Sequence, residues 1–552
     1  MKLIELKIKN FRGLKGDNNI IDFSKSNIIY LIGQNNVGKS TFLRAYEFFV
    51  NSTQKAYRED FYNHSSDLPI EIEGIFLKED EDEQDTDLTG SGRSEEPDWI
   101  SKWVDNNSLV KVRKKWVSEG QTFSKETFSP IENQYIRNGF GGLHQKFQKY
   151  TPTPIAINAM EDEDSLEDKV NKMMQREFIK KVKEDFPDEF ESLITGIKTL
   201  QEKIAGTEAV ETLNYELNEN FQKVFADLTL KIEAKHEENI KLEDSFKKNY
   251  SIHVSKEGIE RKETFLEYGH GVIRQALFNF LAFLQKATTT TRKEYIILFE
   301  EPEFCLHPKV AFKLRQNLYN LAESSPYQIL CATHSPLMID ISKPHSSLVR
   351  ITKDANEETH TFQIDDTLFQ RDEETRNRVQ MINRFNPHIC EVFYADIVLL
   401  VEGDTETIVY RDLLNRLFSE AEIFVLNTAS KNNIPFFQEI LTAFRIKHFI
   451  IHDTDTRLNS SDNTNSAWTL NERIQGKINE AAGLARRYVH INNFEDAHGI
   501  NLKGKDKPLK AYKFVKSLDI DSDVDCLNWL KYIVGDNQEI LHDQNYIETN
   551  VD

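Results

Sequence analysis

The stretch GQNNVGKST at Gly33–Thr41 decides the fold of the first part of this chain, because it fits the phosphate-binding pattern G-x-x-x-x-G-K-[ST]. An apolar run at Asn27–Ile32 precedes it and predicts a buried strand. Apolar residues recur at helical spacing in Thr41–Val50 and predict a helix. Together, these elements predict a nucleotide site in which backbone N–H groups and the positive end of the helix face the phosphates. A chance lysine in a glycine turn is the alternative, and the context argues against it.

The side chains of this loop have distinct expected roles. We expect Lys39 to reach the β- and γ-phosphates of ATP and Ser40 to hold Mg²⁺. Other loop residues would bind the nucleotide through the backbone or through short side chains, and these are Gly33, Asn35, Asn36, Gly38 and Thr41.

Polar residues at the ends of two further apolar strands complete the predicted nucleotide site. The run Tyr295–Phe299 leads into Glu300 and Glu301, and Tyr327–Ala332 leads towards His334. In P-loop enzymes, acidic residues at such strand ends hold Mg²⁺ and orient water. We therefore expect Glu300 to lie near the metal and Glu301 to polarise the attacking water. We expect His334 to sense the γ-phosphate, although a loop histidine satisfied by its neighbours is the alternative.

Composition limits the classes of protein to which the chain can belong. Its 552 residues suggest three to four domains. A net charge of -21 argues against a protein that coats nucleic acid by bulk charge, but it leaves open a local groove or a metal-mediated contact. The four scattered cysteines suggest neither a disulfide framework nor a zinc site. With no long apolar run and a strand-like N-terminus, we expect a cytoplasmic protein without a membrane partner.

A second group of acidic residues follows two more apolar strands. Glu402 comes directly after Ile397–Val401, while Asp453 and Asp455 follow His448–His452. The carboxyl ends of strands in an open α/β sheet form one edge, so these three carboxylates should converge. Hard oxygen ligands favour Mg²⁺ or Mn²⁺, and a phosphodiester is the natural substrate of such a site.

Alternating strands and helices predict an α/β fold interrupted by one insertion. We assign residues 1–161 and 249–370 to the first α/β domain, 371–394 to a connector helix, and 395–552 to a second α/β domain with a helical C-terminal part. Residues 162–248 are rich in Lys and Glu, with apolar residues at spacings of three and four, and predict a helical insertion. This insertion would form either an oligomer interface or a helical core of its own.

Four segments together resemble the ABC-type ATPases of the SMC, RecF and OLD kind, and they are KNFRGL, GQNNVGKST, FEEPEFCLHP and ATHSP. The resemblance implies that Glu300 and Glu301 belong to Walker B and that His334 is the switch histidine. It places the signature segment at Glu267–Gln275, where Tyr268 stands in the usual serine position. ABC-type sites are completed by two heads, so the resemblance also implies a homo-oligomer, either a dimer or a tetramer.

The sequences EGDTE at 402–406 and DTD at 453–455 resemble a Toprim domain. An ATPase followed by a Toprim domain resembles the OLD (overcoming lysogenisation defect) family over nearly the whole chain. The resemblance implies an ATP-regulated, metal-dependent DNA endonuclease that acts in prokaryotic defence against phage. It further implies that Glu406 and Glu495 complete a second metal site and that Lys507 stabilises charge in the transition state, with Lys503 and Lys505 as neighbouring alternatives.

Two other interpretations stay open at this point. One is a DNA-repair ATPase of RecF type whose Toprim domain binds DNA without cutting it. The other is an ATPase scaffold for a second defence protein. Metal-dependent plasmid nicking separates the first from a nuclease, and co-purification with a partner would favour the second.

Overall fold

The computed structural model describes most of the chain outside the predicted insertion. The described residues are 1–79, 102–138, 150–159, 295–323, 326–364, 387–420, 422–501 and 506–522, with short stretches elsewhere. The chain divides into two compact units, one of Met1–Ala159 with Ala282–Asp552 and one of Met160–Leu281. Among the described residues, no helix is long and apolar enough to cross a membrane.

Several predicted features lie outside the described residues. They are the signature segment at 267–275, the alternative lysines Lys503 and Lys505, most of the connector helix, and most of the insertion at 162–248. Within the second unit, the strands β9 (His253–Val254) and β10 (Glu263–Thr264) pair antiparallel.

Among the described residues, twelve strands and two α-helices form the first unit up to Gln363, and their bounds follow in chain order. Before the second unit they are β1 (Lys2–Lys9), β2 (Asn19–Asp22), β3 (Ile28–Ile32), α1 (Lys39–Val50), β4 (Ile70–Leu77), β5 (Leu109–Trp116), β6 (Ser124–Ser129), β7 (Gln134–Arg137) and β8 (Thr153–Ile157). After it come β11 (Tyr295–Glu300), α2 (Pro308–Glu323), β12 (Tyr327–Ala332), β13 (Leu348–Lys353) and β14 (Thr359–Gln363).

A six-stranded antiparallel sheet forms one layer of this region, in the order β2-β1-β4-β5-β6-β7. The alternation of buried and half-exposed residues in β5 shows one face turned to the core. The aromatic residues Phe42, Tyr46 and Phe49 of α1 belong to the same core cluster as the strand residues. The sequence analysis predicted a strand-like N-terminus but not this antiparallel sheet.

The second sheet runs in the order β14-β13-β3-β12-β11-β8 and is parallel except for β14. Strands β3 and β12 are buried along their whole length, as their uniformly apolar sequences predict. Because β3, β12 and β11 are neighbours and parallel, the loops at their carboxyl ends lie side by side. These are the loops that carry Lys39, His334 and Glu301.

A second α/β layer begins at residue 397, and its sheet is parallel throughout, in the order β16-β15-β17-β18. The order in which strands are added reverses between β15 and β17, because β16 lies on one side of β15 and β17 on the other, so the crevice beyond the carboxyl ends of β15 and β17 is the expected ligand site. Its elements are β15 (Ile397–Val401), α3 (Asp404–Leu417), β16 (Ile423–Asn427), α4 (Ile434–Ala443), β17 (Lys447–Asp453), α5 (Ser466–Glu480), β18 (Ala485–His490), α6 (Phe494–Ala497) and α7 (Lys507–Ser517).

The C-terminal part differs from the predicted, mostly helical one because it contains β18. The strand lies at the edge of the sheet, and its residues Arg486 and Arg487 are not buried. Its apolar pattern is therefore weak, which explains why no strand is predicted there. The described end of the connector, Pro387–Tyr394, is a 3₁₀ helix.

Candidate functional site

The phosphate-binding loop between β3 and α1 requires glycine at two positions. Gly33 has φ +135°, and a Cβ there would collide with the carbonyl oxygen of Ile351. Gly38 has φ +103°, and a Cβ there would lie 2.7 Å from Leu14 Cδ2. An L side chain is thus excluded at both positions by backbone conformation and by space.

Lys39 is the first residue of α1, and its side chain folds back over this loop. Its Nζ donates to the carbonyl oxygens of Gly33 at 2.7 Å and Gln34 at 2.5 Å. Burial lowers the pKa of Lys39 to about 8, while the carboxylates of Glu301 and Glu303 oppose that shift. The ammonium therefore lies where the loop backbone would receive a phosphate.

The structure brings Glu301 and His334 together beside the loop. Glu301 has φ +45°, and its N–H donates to the Ala332 carbonyl at 2.8 Å, which joins the ends of β11 and β12. The Nε2 atom of His334 lies 3.6 Å from Glu301 Oε1. Burial lowers the pKa of His334, and the nearby charge of Lys39 lowers it further. Glu300 ends β11 with its carboxylate 3.9 Å from the guanidinium of Arg44.

Glu303 is a polar residue of this site that sequence reasoning missed. Its Oε1 atom accepts hydrogen bonds from the hydroxyl of Thr333 at 2.7 Å and from the N–H of His334 at 3.1 Å. Burial raises its pKa, and its Oε2 atom is buried without a hydrogen-bond partner among the described residues. Glu303 thus fixes the backbone of the loop that presents His334. The sequence feature that could have indicated its role is its place as the third glutamate of the EEPE segment.

The second site begins with Glu402, one residue beyond β15. Its Oε1 atom accepts a hydrogen bond from the N–H of Asp453 at 2.8 Å, across the paired strands β15 and β17. Burial raises the pKa of Glu402 to about 7, and the charge of Lys431 opposes the shift. The two strand ends are therefore joined through a carboxylate that faces the sheet edge.

Asp453 and Asp455 lie at and just beyond the end of β17. Burial raises the pKa of Asp453 to about 9, and repulsion from Glu402 and other acids adds to the shift. The Oδ1 atom of Asp453 is buried and has no hydrogen-bond partner among the described residues. Asp455 adopts a left-handed conformation with φ +59°, and its N–H donates to the Asn492 carbonyl at 3.0 Å.

The remaining predicted residues lie on helices at the same edge. Glu406 is buried in the first turn of α3, and burial raises its pKa. Lys507 begins α7, and its Nζ lies 2.7 Å from Glu495 Oε1. Burial alone would lower the pKa of Lys507, but the hydrogen bond with Glu495 and the charges of Glu406 and Asp453 raise it. The fold therefore brings Lys507 to the carboxylates.

A second lysine at this site, Lys431, was missed from the sequence. It follows β16, and its Nζ donates to Asp455 Oδ2 at 2.7 Å and to the Asp453 carbonyl at 2.5 Å. The signal was present, because β16 is a third parallel strand whose carboxyl end meets the same sheet edge.

The donor set of this cluster fits a hard divalent cation. All its candidate ligand atoms are carboxylate oxygens, which Mg²⁺ and Mn²⁺ prefer. The buried, unpartnered Oδ1 atom of Asp453 is an acceptor that a cation would satisfy. The residues that would hold it are Glu402, Asp453, Asp455, Glu406 and Glu495.

Direct contacts join the phosphate-binding loop to the second α/β layer. The side-chain amide of Gln34 donates to Asp396 Oδ1 at 2.6 Å and to Glu422 Oε2 at 3.3 Å. The guanidinium of Arg350 donates to the Phe444 carbonyl at 3.0 Å. A cavity of about 680 Å³ lies beside the first contact, and it is lined by Gly33, Gln34, Asn35, His334, Tyr394, Glu422 and other residues.

Two family models match the chain. The one described as AAA ATPase domain matches residues 1–339, and the one described as Overcoming lysogenization defect protein-like, TOPRIM domain, matches residues 393–455. The chain is 25% identical over 479 residues to the Old nuclease of Escherichia phage P2, a match that covers 82% of this chain and 77% of that protein. It is 24% identical over 451 residues to Endonuclease GajA of Bacillus cereus (strain VD045), covering 77% of this chain and 69% of the relative.

Among solved structures, an SMC head domain from Thermotoga maritima covers 66% of this chain and is itself covered completely, at 100%. The TM-score is 0.33 and the sequence identity is 13%, so the structural similarity is weak.

Proposed function

This chain belongs to the AAA ATPase family matched over residues 1–339 and carries an OLD-like TOPRIM domain, and from that premise we propose that it is an ATP-regulated, divalent-metal-dependent DNA endonuclease. The observation that carries the nuclease proposal is that Glu402 and Asp453 lie side by side at one sheet edge, joined by the hydrogen bond from the Asp453 N–H, and that the buried Oδ1 atom of Asp453 has no hydrogen-bond partner among the described residues. Glu402, Asp453 and Asp455 would hold a divalent metal there, and that metal would supply Lewis acidity to the phosphodiester and activate water.

The residues around the metal ligands supply positioning and positive charge. Glu402 holds the end of β17 through the N–H of Asp453, so the two ligand loops keep one geometry. Lys507 presents an ammonium at the rim of the cluster, where it would neutralise charge that develops on the phosphate oxygens. We assign Glu406 and Glu495 to the second metal.

The nucleotide site has its own division of roles. The loop backbone and Lys39 would bind the β- and γ-phosphates, with Ser40 and Glu300 on the Mg²⁺ side. Glu301 would orient the attacking water, and His334, which lies 3.6 Å from it, would sense the γ-phosphate. Because its pKa is lowered by burial and by Lys39, His334 is neutral near pH 7 and can accept or donate a hydrogen bond.

Regulation by ATP is supported by the contacts of Gln34. Its carbonyl accepts from Lys39, and its side-chain amide donates to Asp396, which immediately precedes β15. Lys39 must release that carbonyl to reach a phosphate, so nucleotide binding changes the hydrogen bonds of the residue that touches the second layer. β15 is a mostly buried strand that leads directly to Glu402. A displacement at Asp396 would therefore reach the nuclease site.

The wider assignments follow from the resemblance to OLD proteins. We propose a cytoplasmic effector of prokaryotic anti-phage defence that acts as a dimer or tetramer, since ABC-type ATP sites are completed by a second head. The ATPase heads and the helical insertion at 162–248 would form the contacts between copies. A second defence protein is a further possible partner. The proposed domains are the ATPase domain at residues 1–161 and 249–370, the helical insertion at 162–248, the connector at 371–394 and the Toprim domain at 395–552.

Cleavage of supercoiled plasmid in Mn²⁺, in Mg²⁺ and in EDTA tests the nuclease proposal. We expect nicked or linear DNA in either metal and intact plasmid in EDTA. The matched control is Glu472→Gln, which removes an exposed carboxylate of the same domain and should cut like the wild type. Binding of DNA without cutting in either metal would contradict the proposal and favour a DNA-repair ATPase.

A further inference from the structure

The loop after β16 delivers a lysine into the carboxylate cluster that the reaction proposed above does not use. Lys431 is 5% exposed, and lysines are rarely buried to this extent unless they are paired. Its ammonium contacts both residues at the end of β17, through the Asp455 carboxylate at 2.7 Å and the Asp453 carbonyl at 2.5 Å. A side chain in this position affects the charge of the whole cluster.

Hydrogen bonds within the loop fix the position of Lys431. The hydroxyl of Thr428 donates to the Val401 carbonyl at 2.9 Å, which anchors the loop to the end of β15. The side-chain amide of Asn433 donates to the Thr428 carbonyl at 2.8 Å, and the Ser430 hydroxyl accepts from the N–H of Asn432 at 3.3 Å. The fold therefore places the Lys431 backbone, and the ammonium has little freedom to leave the cluster.

The charges around Lys431 are strongly unbalanced. The carboxylates of Glu402, Glu406, Asp455 and Glu495 all lie near enough to Asp453 to repel a charge on it. Lys507 pairs with Glu495 on one side of the cluster, and Lys431 pairs with Asp455 on the other. Each ammonium thus offsets repulsion between acids that would otherwise face each other without a counter-charge.

We propose that Lys431 is a positioning residue and a resident counter-ion: it holds the Asp455 carboxylate in the cluster and competes with a divalent cation for that oxygen. This inference rests on the proposed nuclease function in one respect: the acidic cluster at the ends of β15 and β17 is taken to bind a metal. Lys431 then keeps the metal-free chain folded around its acids and limits the affinity of the site for metal.

Two variants of Lys431 test this proposal. Lys431→Met removes the ammonium and keeps most of the side-chain length, while Lys431→Arg keeps the charge. Melting temperature in EDTA and Mn²⁺ affinity by titration calorimetry are measured without DNA. For Lys431→Met we expect a lower melting temperature in EDTA and Mn²⁺ binding that is tighter by about tenfold or more, because a positive charge close to the cation has been removed. Lys431→Arg should stay near the wild type in both measurements.

The control is Lys513→Met, which removes an exposed lysine from α7 and should change neither quantity. Unchanged or weaker Mn²⁺ binding by Lys431→Met, or an unchanged melting temperature in EDTA, would overturn the proposal. If Lys431→Met does not fold, the double variant with Asp455→Asn decides: a folded chain supports the charge argument, and continued failure overturns it. Because no step uses DNA, a chain that fails to cut plasmid still reports on Lys431.

Discussion

The sheet that contains β3 and the sheet that contains β15 both place polar residues at the carboxyl ends of adjacent parallel strands, but the loop after β3 carries a lysine, whereas the loops after β15 and β17 carry acids. Beyond β3, the loop offers backbone groups and the ammonium of Lys39. Beyond β15 and β17, the loops offer carboxylates. The first site can meet a phosphate directly, whereas the second needs cations before it can approach one. The topology of the sheet therefore determines where a site lies, while the residue types at the strand ends determine what it binds.

The two sites also use buried lysines differently. Lys39 is held by the backbone carbonyls of its own loop, which it can exchange for phosphate oxygens. Lys431 is held by a carboxylate and a carbonyl from another strand. One lysine is therefore available to a ligand, and the other belongs to the framework of its site.

Removing a carboxylate of the second site should separate plasmid cleavage from ATP hydrolysis most strongly. Glu402→Ala and Asp455→Ala should each reduce plasmid cleavage by more than about 10²-fold, the scale of losing a key electrostatic group. ATP hydrolysis should be retained, because neither residue lies at the phosphate-binding loop. Cleavage and ATP turnover are measured on the same preparation. Wild-type cutting by either variant would show that the acidic cluster is not the nuclease site.

Lys39→Ala makes the opposite separation. ATP turnover should fall by more than about 10²-fold, because the loop loses the only charge it directs at the phosphates among the described residues. Plasmid cleavage should persist without nucleotide and should no longer respond to ATP. Lys25→Ala, at an exposed lysine before β3, is the control. Undiminished ATP turnover by Lys39→Ala would place the ATP chemistry elsewhere.

The sequence predicted the parts of both sites that directly follow uniformly apolar strands. The sequence correctly placed Glu300, Glu402 and Asp453 at strand ends, because strand burial marks where a chain reaches the sheet edge. Glu303 and Lys431 were missed because their roles arise from loop conformation, which no periodicity encodes. Their hydrogen bonds join loops that are separated by 30 and 24 residues along the chain.

The contacts between the two layers were also beyond reach from sequence. Gln34 is a variable position of the loop pattern, and nothing local indicates that Asp396 lies beside it. The antiparallel sheet and β18 were missed for a related reason, since strand order and edge position depend on the whole fold.

Metal binding should release protons from the second site, because some of its carboxyl groups are protonated in the metal-free chain. The pKa values of Glu402 and Asp453 are raised to about 7 and about 9 by burial and by neighbouring acids. Near pH 7 the metal-free cluster therefore holds on the order of one proton that a cation must displace. Titration calorimetry with Mn²⁺ in buffers of different ionisation enthalpy measures it. An apparent enthalpy that is independent of buffer would contradict these shifts.

The same shifts fix the sign of a pH effect on the metal-free chain. A carboxyl whose pKa is raised on folding binds more protons in the folded state than in the unfolded state. Its contribution to stability therefore falls as pH rises from the ordinary values, near 4, to about 7 for Glu402 and about 9 for Asp453. Melting temperatures in EDTA across this range would show it, and saturating Mn²⁺ should reduce the dependence.

The smallest expected effect concerns the contact between the layers. Asp396→Ala removes the acceptor that lies 2.6 Å from the Gln34 amide and leaves Glu422 as the other acceptor. One hydrogen bond to a charged group contributes about 1.5–3 kcal/mol at most, so we expect the response of cleavage to ATP to shrink by several-fold rather than vanish. Cleavage without nucleotide should stay close to the wild type. A full ATP response in Asp396→Ala would show that coupling runs through other contacts.

In the proposed function, the phosphate-binding loop regulates a separate metal-dependent nuclease site. The most direct test is the rate of supercoiled-plasmid cleavage in Mn²⁺ across an ATP titration, with the wild type and Lys39→Ala side by side. We expect the cleavage rate of the wild type to change with ATP and to saturate, whereas the cleavage rate of Lys39→Ala stays constant. A wild-type rate that is independent of ATP would contradict it.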